Sequence, residues 1–363
     1  MTFKRPIIAI TGSAGKTTTK EMLAAILQRK WKVFKSYQNG NNLWYTKQYK
    51  KQINSLHEAI VLEYGLKRAG DIKRLCQLLK PNIGMITNVG RAHIGNFNGR
   101  IKGIASAKSE LIQNMPAEGT LYINKDDVHS KLLTYGGFKG KILSIGIKNK
   151  ADYQATRVQY TRAGMRFQLR LNGKLQSFAI PVPGLYNVYN AIFAVAAAHR
   201  LGFTANQIQS GLMQFEKPYA RLTQHRLSNG CLLINDSFNT KPELHAAVDV
   251  LHHSGKNRKI AVLGSIADMG KQRRAMHRAT GRWLARQNLN YLYTFGPHAR
   301  NIGLGAIDAG FSSAKVCNVT SMRKLKIKLM SELKPDSAIL FKGATGGKVV
   351  LMHLVEDILR ERG

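Results

Sequence analysis

Ile7-Ile8-Ala9-Ile10-Thr11-Gly12-Ser13-Ala14-Gly15-Lys16-Thr17-Thr18 is the stretch that decides the fold. An apolar run of strand length passes through a small Gly-rich turn into Lys-Thr-Thr and then into a helical stretch, Lys20 to Gln28. A strand, a tight turn and a helix N-terminus together make a cradle for nucleotide phosphates. The backbone N–H groups face the anion, Lys16 reaches the outer phosphates, and the Thr17 hydroxyl can ligate Mg²⁺. The general pattern spaces its glycines more widely, so with Gly12 as the earlier glycine this is a compressed variant. An ordinary Gly-rich strand-to-helix turn is the plainer reading, and the Gly-Lys-Thr-Thr ending with both flanks argues against it. Gly12, Ser13, Ala14, Gly15, Lys16, Thr17 and Thr18 are the candidate nucleotide site.

The remainder of the chain is long enough for two ordinary cores, at 363 residues with 44% apolar content. No apolar run approaches the length of a membrane span, so none is expected. The opening Met1-Thr2-Phe3-Lys4-Arg5 runs straight into the nucleotide strand, which leads us to expect no secretory signal. Cys76, Cys231 and Cys317 are far apart, match no metal-ligand spacing and sit in apolar contexts. Three structural thiols in a reducing cytoplasm is the economical expectation.

Charge is the odd feature: 56 Lys plus Arg against 20 Asp plus Glu, a formal +36. Such a field attracts nucleic acid, anionic polymers or acidic substrates. The basic residues are spread in short groups, such as Lys47-Lys50-Lys51 and Arg323-Lys324-Lys326-Lys328, and form no tail or arm. A general surface bias would look the same, so charge alone decides nothing.

Apolar runs at 6–11, 59–63, 83–87 and 120–123 alternate with helical patterns near 16–29, 70–79, 103–114 and 128–134. That alternation predicts a mainly parallel sheet with helices on both faces. From Tyr153 to Ile180 the period changes to two, with turns at Arg162-Ala163-Gly164 and Asn172-Gly173, predicting antiparallel strands at one side of the main sheet. Asn187 to His199 is an Ala-rich helix. Near Glu216-Lys217-Pro218 a second series begins, with strands at 231–236, 259–264, 290–295, 315–318 and 338–341. Helices near 242–253, 273–287, 320–333 and 348–361 separate them. The expectation is an α/β protein: a P-loop ATPase domain over 1–216 and a Rossmann-like α/β domain over 217–363.

Polar residues at strand ends carry the remaining chemistry. Glu63 closes the strand Ala59-Ile60-Val61-Leu62, well placed for Mg²⁺ or its waters beside a phosphate loop. Capping or plain surface exposure is the bland alternative. His93 follows the strand ending at Thr87 by a short loop; taken alone, a hydrogen-bonded structural histidine is the commoner case. Lys108 lies in an amphipathic helix, where a lysine is normally solvated. Asp236 closes the first strand of the second series and Asn239 follows it; spacing alone does not say whether they face a nucleotide.

Taken together and in order, these residues resemble the Mur ligases, ATP-dependent enzymes that join amino acids in peptidoglycan precursors, and among them the D-alanyl-D-alanine-adding branch. The resemblance runs over almost the whole chain from Ile7. Thr11 to Thr18 with Lys20-Glu21-Met22 is similar to the family's phosphate loop, and Leu62-Glu63-Tyr64-Gly65 to the segment of its Mg²⁺ glutamate. Thr87-Asn88 through His93 is similar to the segment whose histidine helps hold a second Mg²⁺. Ala107-Lys108-Ser109-Glu110 is similar to the segment whose lysine some members carbamylate as a metal ligand. Asn187 and Asn190 resemble the Asn pair near the nucleotide base, and Arg221 the second-domain arginine that closes on the phosphates. Asn235-Asp236-Ser237-Phe238-Asn239 resembles the stretch that meets nucleotide and substrate.

Departures are equally plain: Lys241 stands where Asn usually precedes Pro, Gly264-Ser265-Ile266 replaces Gly-Asp-Met, and Ala344-Thr345 follows Lys342-Gly343. The chain begins at what would be the central domain. The resemblance implies ATP and Mg²⁺ as cofactors. It also implies a carboxylate phosphorylated to an acyl phosphate and then attacked by an amine. Lys16 and Arg221 would balance charge; Thr17 and Glu63 would hold one metal ion, and His93 with a carbamylated Lys108 another. The partners implied are an anionic carboxylate acceptor and an amino acid or dipeptide. Peptidoglycan-precursor synthesis is the first assignment; a ligase for poly-γ-glutamate, a peptide natural product or a cofactor is the second. A nucleotide-gated polyanion binder would explain the charge, but the chain carries no recognised nucleic-acid motif.

Overall fold

The computed structural model describes residues 5–238, 244–343 and 350–363. These divide into two compact units: residues up to Arg91 with Arg100–Pro218, and Ala92–Gly99 with the residues from Tyr219 on.

The first unit is built on a seven-stranded, wholly parallel sheet. Its strands are β1 (Ile7–Thr11), β2 (Val33–Lys35), β3 (Ala59–Glu63), β4 (Ile83–Ile86), β5 (Thr120–Asn124), β6 (Lys141–Gly146) and β7 (Tyr153–Gln154), in the order β2-β3-β1-β4-β5-β6-β7. The strand order reverses about β1, and such a switch point opens a crevice at the carboxyl ends of the central strands. The helices are α1 (Lys16–Leu27), α2 (Leu43–Gln52), α3 (Asp71–Leu78), α4 (Ile101–Gln113), α5 (Leu185–Arg200) and α6 (Ala205–Gln214). α1 is buried along nearly its whole length and packs against α5 and α6. Close approach is possible because α6 presents Gly211, where a Cβ would lie 2.4 Å from the Ile26 Cα. The alanines of α5, fully buried, serve the same end. A three-stranded antiparallel sheet, β8 (Thr156–Thr161), β9 (Gly164–Leu171) and β10 (Lys174–Ile180), turns its Met165, Phe167, Leu169 and Phe178 side chains into this core. The expected meander is present, except that Tyr153-Gln154 pairs parallel onto the main sheet.

The second unit has the six strands β11 (Thr223–Arg226), β12 (Leu232–Asp236), β13 (Arg258–Leu263), β14 (Tyr291–Phe295), β15 (Val316–Val319) and β16 (Ser337–Lys342), in the order β11-β12-β16-β13-β14-β15. All pairs are parallel but β11–β12. α7 (His245–His252), α8 (Arg273–Leu284) and α9 (Arg300–Ile307) cover one face, and α10 (Met322–Met330) and α11 (Val350–Arg362) the other. Strand residues alternate between the two cores: Leu232 and Ile234 join one, and Leu233 joins the other.

Differences from the sequence reading have physical causes. The helix expected over 128–134 is only a single 3₁₀ turn, Ser130–Leu132: it has no side-chain cap, and the Gly136-Gly137 pair that follows is a poor helix former. β11 carries no apolar run and is an edge strand paired antiparallel to β12. α9 holds Gly303 and Gly305, poor helix formers; a Cβ on Gly305 would stand 2.2 Å from the Arg278 carbonyl, so the glycine permits contact with α8. α2 buries only Thr46 and Tyr49, too thin an apolar stripe to read from sequence.

Candidate active site

The loop after β1 enters α1 through Gly15 at φ 82, the left-handed region that favours glycine. A Cβ there would also meet the Asn190 Oδ1 at 2.3 Å, so position 15 has no room for a side chain. α1 has no side-chain cap and no acidic residue in its first turn. The N–H groups at that end therefore keep the positive potential that suits an anion. The Lys16 ammonium, almost fully buried, donates to the Gly12 carbonyl at 3.0 Å and so lies across the mouth of the loop.

β4 supplies the loop's scaffold. Asn88 Oδ1 accepts from the Ser13 and Ala14 N–H groups, both at 3.0 Å, while its Nδ2 donates to the Ala14 carbonyl. Thr87 Oγ1 donates to the same carbonyl at 2.6 Å. Ser13 Oγ donates to the Gly90 carbonyl and accepts from the Gly90 N–H. These contacts, all from the protein itself, hold the loop's shape, which is the preorganisation that phosphate recognition needs.

β3 ends in Glu63, with only 2% of its surface exposed. Thr17 Oγ1 donates to Glu63 Oε2 at 2.7 Å, and Asn41 Nδ2 donates to Oε1 at 2.8 Å. The Glu63 N–H donates to Ser36 Oγ at 2.8 Å. Among the described residues, no group of three or more His, Cys, Asp or Glu gathers as a metal cage. What does gather, one hydroxyl and one buried carboxylate beside a phosphate cradle, is an all-oxygen donor set that suits Mg²⁺, which keeps several waters and takes phosphate oxygens as ligands.

Asn187 and Asn190 lie on the first turns of α5, directly behind the loop. Asn190 Oδ1 accepts from Thr19 Oγ1 at 3.2 Å, and its Nδ2 donates to Asn187 Oδ1 at 3.1 Å. Tyr189, between them, donates its hydroxyl to Asp126 Oδ2 at 2.7 Å. Burial pushes the Asp126 carboxyl up, but the N–H groups of Lys148 and Ile147, the Tyr189 hydroxyl and Asn149 outweigh it and bring it down to about 2. Lys108, contrary to the solvated reading of a helix lysine, is 98% buried on α4 (2% exposed).

The second unit brings Arg221 and Asp236 together. Asp236 is paired with Lys342 at 2.6 Å, both buried. Burial raises the Asp236 carboxyl pKa, and the nearby Lys342 and Arg221 charges only partly oppose it. The Arg221 guanidinium sits over the Phe238 ring, 5.0 Å from its centroid. Ala220 and Leu222 on either side both have positive φ, a strained setting for non-glycine residues. His93, at φ 62, bonds through Nδ1 to Asp268 Oδ2 at 2.7 Å. His277 is fully buried; its Nε2 accepts from the Ile266 N–H and its Nδ1 donates to the Arg273 carbonyl, fixing one neutral tautomer. Asn239, with Lys241, Ala344 and Thr345, lies outside the described residues.

Sequence reasoning passed over Asn41, Ser36 and the loop-building role of Thr87 and Asn88. The signal was available for Asn88, which stands just past the end of a buried strand, as Glu63 stands at one. Asn41 and Ser36 follow a three-residue edge strand that no periodicity marks.

Comparison with known proteins decides the family. The Mur ligase middle domain matches residues 10–198, and the Mur ligase glutamate ligase domain matches residues 220–345. The chain belongs to the Mur ligase family. A UDP-N-acetylmuramoyl-tripeptide–D-alanyl-D-alanine ligase of Synechocystis sp. is 31% identical to this Mur ligase over 98% of the chain and 76% of that relative. The crystal structure of MurF from Acinetobacter baumannii superposes with a TM-score of 0.88 at 28% identity, covering 98% of this chain and 77% of that one. MurF from Thermotoga maritima in complex with ADP, 24% identical, shares the fold with a TM-score of 0.84. Membership makes this Mur ligase an ATP-dependent acid–amino-acid ligase, the enzyme class its motifs imply. Among the described residues no helix is long and apolar enough to cross a membrane.

Proposed function

We propose that this Mur ligase joins the amine of a dipeptide such as D-alanyl-D-alanine to the terminal carboxylate of a UDP-linked muramoyl tripeptide, a cytoplasmic step of peptidoglycan-precursor synthesis. The observation that carries the nucleotide half of this reading is the Thr17–Glu63 contact at 2.7 Å beside a preorganised phosphate loop. The substrate half rests on likeness to relatives that carry that substrate in their names.

We assign residues 1–216 to ATP binding and 217–363 to the second ligase domain. A carboxylate is a poor electrophile, so the γ-phosphoryl group is transferred to it first and the amine then displaces phosphate. Such transfer needs positioning and charge neutralisation more than a reactive side chain. The loop N–H groups of residues 12 to 18 hold the phosphates. Lys16 and Arg221 neutralise charge on the transferred group. Asn187 and Asn190 serve the base side of the nucleotide, and Asp236 and Asn239 the contact with nucleotide and substrate. Thr17 and Glu63 are the proposed ligands of one Mg²⁺, and His93 with Lys108, the latter once carbamylated to an oxygen donor, those of a second. Bound magnesium supplies positive charge to the phosphate oxygens. The +36 charge suits an acceptor rich in carboxylates and phosphates, and nucleic acid is not the favoured partner because the sequence carries no recognised nucleic-acid motif.

The test is product analysis by mass spectrometry with UDP-muramoyl tripeptide, D-alanyl-D-alanine and MgATP, with Lys16→Ala as the control. A UDP-muramoyl pentapeptide formed with stoichiometric ADP, and lost in the control, is the expected result. ADP formation with no such product would move the assignment to another anionic acceptor.

A further inference from the structure

One buried cation of the first unit has no place in the reaction as described. Lys20 is 0% exposed, one turn beyond Thr17 on α1 and so on the same side of the helix. Its ammonium donates to the carbonyls of Ser36, at 2.6 Å, and of Gln38, and pairs with Glu21 at 2.8 Å. Glu21 is itself bridged to Lys35. Burying an ammonium is costly unless it is fully bonded, and here every partner but Glu21 belongs to one short loop between β2 and α2.

That loop has a strained course and a second anchor. Gln38 has φ 43, unusual for a side-chain-bearing residue, and it turns its carbonyl to Lys20. From the other side the Tyr49 hydroxyl accepts from the Tyr37 N–H and donates to the Gly40 carbonyl, both at 3.1 Å. The loop so held delivers groups that meet Glu63. Ser36, whose carbonyl Lys20 grips, accepts the Glu63 N–H on its Oγ, and Asn41 donates to Oε1. Thr17, on the same helix as Lys20, holds Oε2.

We propose that Lys20 is a positioning residue for the metal-binding carboxylate: it clamps the Ser36–Asn41 loop to α1, so that the loop and Thr17 fix Glu63 in one rotamer. The proposal rests on the reading of Thr17 and Glu63 as a Mg²⁺ site. A carboxylate held on both oxygens and its own N–H has one orientation to offer a cation, and outer contacts of this kind typically govern metal affinity by 10–100-fold.

The experiment is binding of a non-hydrolysable ATP analogue to the full chain by calorimetry, with EDTA and again across a Mg²⁺ titration. The ratio of the two affinities is the metal enhancement. Lys20→Met is expected to keep the metal-free affinity, because the loop N–H groups and Lys16 are untouched, and to lose about tenfold of the enhancement. Asn41→Ala is expected to lose a similar factor, and the double variant no more than either single one, since both lie on one chain of contacts. Hydrogen exchange at residues 36–41 is expected to quicken in Lys20→Met and not in Asn41→Ala. If Lys20→Met does not fold, Ser36→Ala breaks the next link and decides the matter by the same ratio. Full enhancement in Lys20→Met or Ser36→Ala, or additive losses in the double variant, would overturn the proposal. A wild-type chain with no enhancement would remove the Mg²⁺ site and the proposal with it, before any variant is measured.

Discussion

Replacing Asn88 by Ala isolates the question of whether the phosphate loop is shaped before the nucleotide arrives. The side-chain amide accepts from the Ser13 and Ala14 N–H groups and donates to the Ala14 carbonyl. Not all of this is lost on truncation. Ser13 N–H keeps the Asn88 backbone carbonyl at 3.2 Å, and the Ala14 carbonyl keeps Thr87 Oγ1. The Ala14 N–H is the group that loses the acceptor shown for it. Each net hydrogen bond contributes about 1 kcal/mol and an unmet donor costs about 1–3 kcal/mol. Because Asn88 is half-buried and water can enter, we place the loss near the low end, at about 2 kcal/mol. For a unit of this size that is a fall of roughly 4–8 °C in Tm. The nucleotide must then order the loop on binding, which weakens ATP affinity by about tenfold for each 1.4 kcal/mol of that cost. The assay is paired: thermal unfolding of the free chain, and nucleotide binding by calorimetry. Lower Tm with unchanged affinity would refute the reasoning, because it would show that the loop's shape does not depend on Asn88.

Other positions give sharper or simpler outcomes. Gly15→Ala places a methyl group where Asn190 Oδ1 stands at 2.3 Å and keeps φ at 82, so nucleotide binding should fall below detection in calorimetry while far-UV circular dichroism stays native. Adding Asn190→Ala should recover only part of the loss, because the backbone strain remains. Breaking the buried Asp236–Lys342 pair by Lys342→Met should cost about 3–5 kcal/mol in denaturant unfolding, and Asp236→Leu in the same chain should return most of it. Asp126 gives the pH dependence. Its folded pKa, about 2, lies below the ordinary carboxylate value, so its stabilisation is present above about pH 4 and is lost as pH falls toward 2. Asp126→Asn should therefore lower stability at neutral pH by about 1–2 kcal/mol, after allowance for solvent screening, and converge with wild type in acid.

Much of the fold was legible because the strands that build it are buried and apolar. Ile7–Thr11, Ala59–Glu63, Ile83–Ile86 and Leu232–Asp236 could be read as strands, and the residues closing them as site candidates, because a parallel sheet gathers its functional groups at one edge. Glu63, placed by its position at a strand end beside the loop, meets Thr17. What escaped was whatever the backbone alone decides. β2 is an edge strand of only three residues and β11 an edge strand without an apolar run, so no period marks them, and the loop after β2 that carries Ser36 and Asn41 follows no legible strand. The burial of Lys108 and Lys20 escaped differently: a lysine on a helix reads as solvated, and only packing reveals that both are buried. Asp126 escaped because its carboxylate's partners come from two separate segments, 147–149 and Tyr189.

The central claim is that a carboxylate is phosphorylated before the amine attacks, and isotope transfer tests it most directly. The acceptor is prepared with ¹⁸O in its reacting carboxylate and turned over with MgATP and the dipeptide, and the released phosphate is analysed by mass spectrometry. One ¹⁸O per phosphate is the predicted result, because the carboxylate oxygen that attacks the γ-phosphorus leaves with it when the amide forms. Amide formation with unlabelled phosphate, or with the label in AMP, would contradict the account.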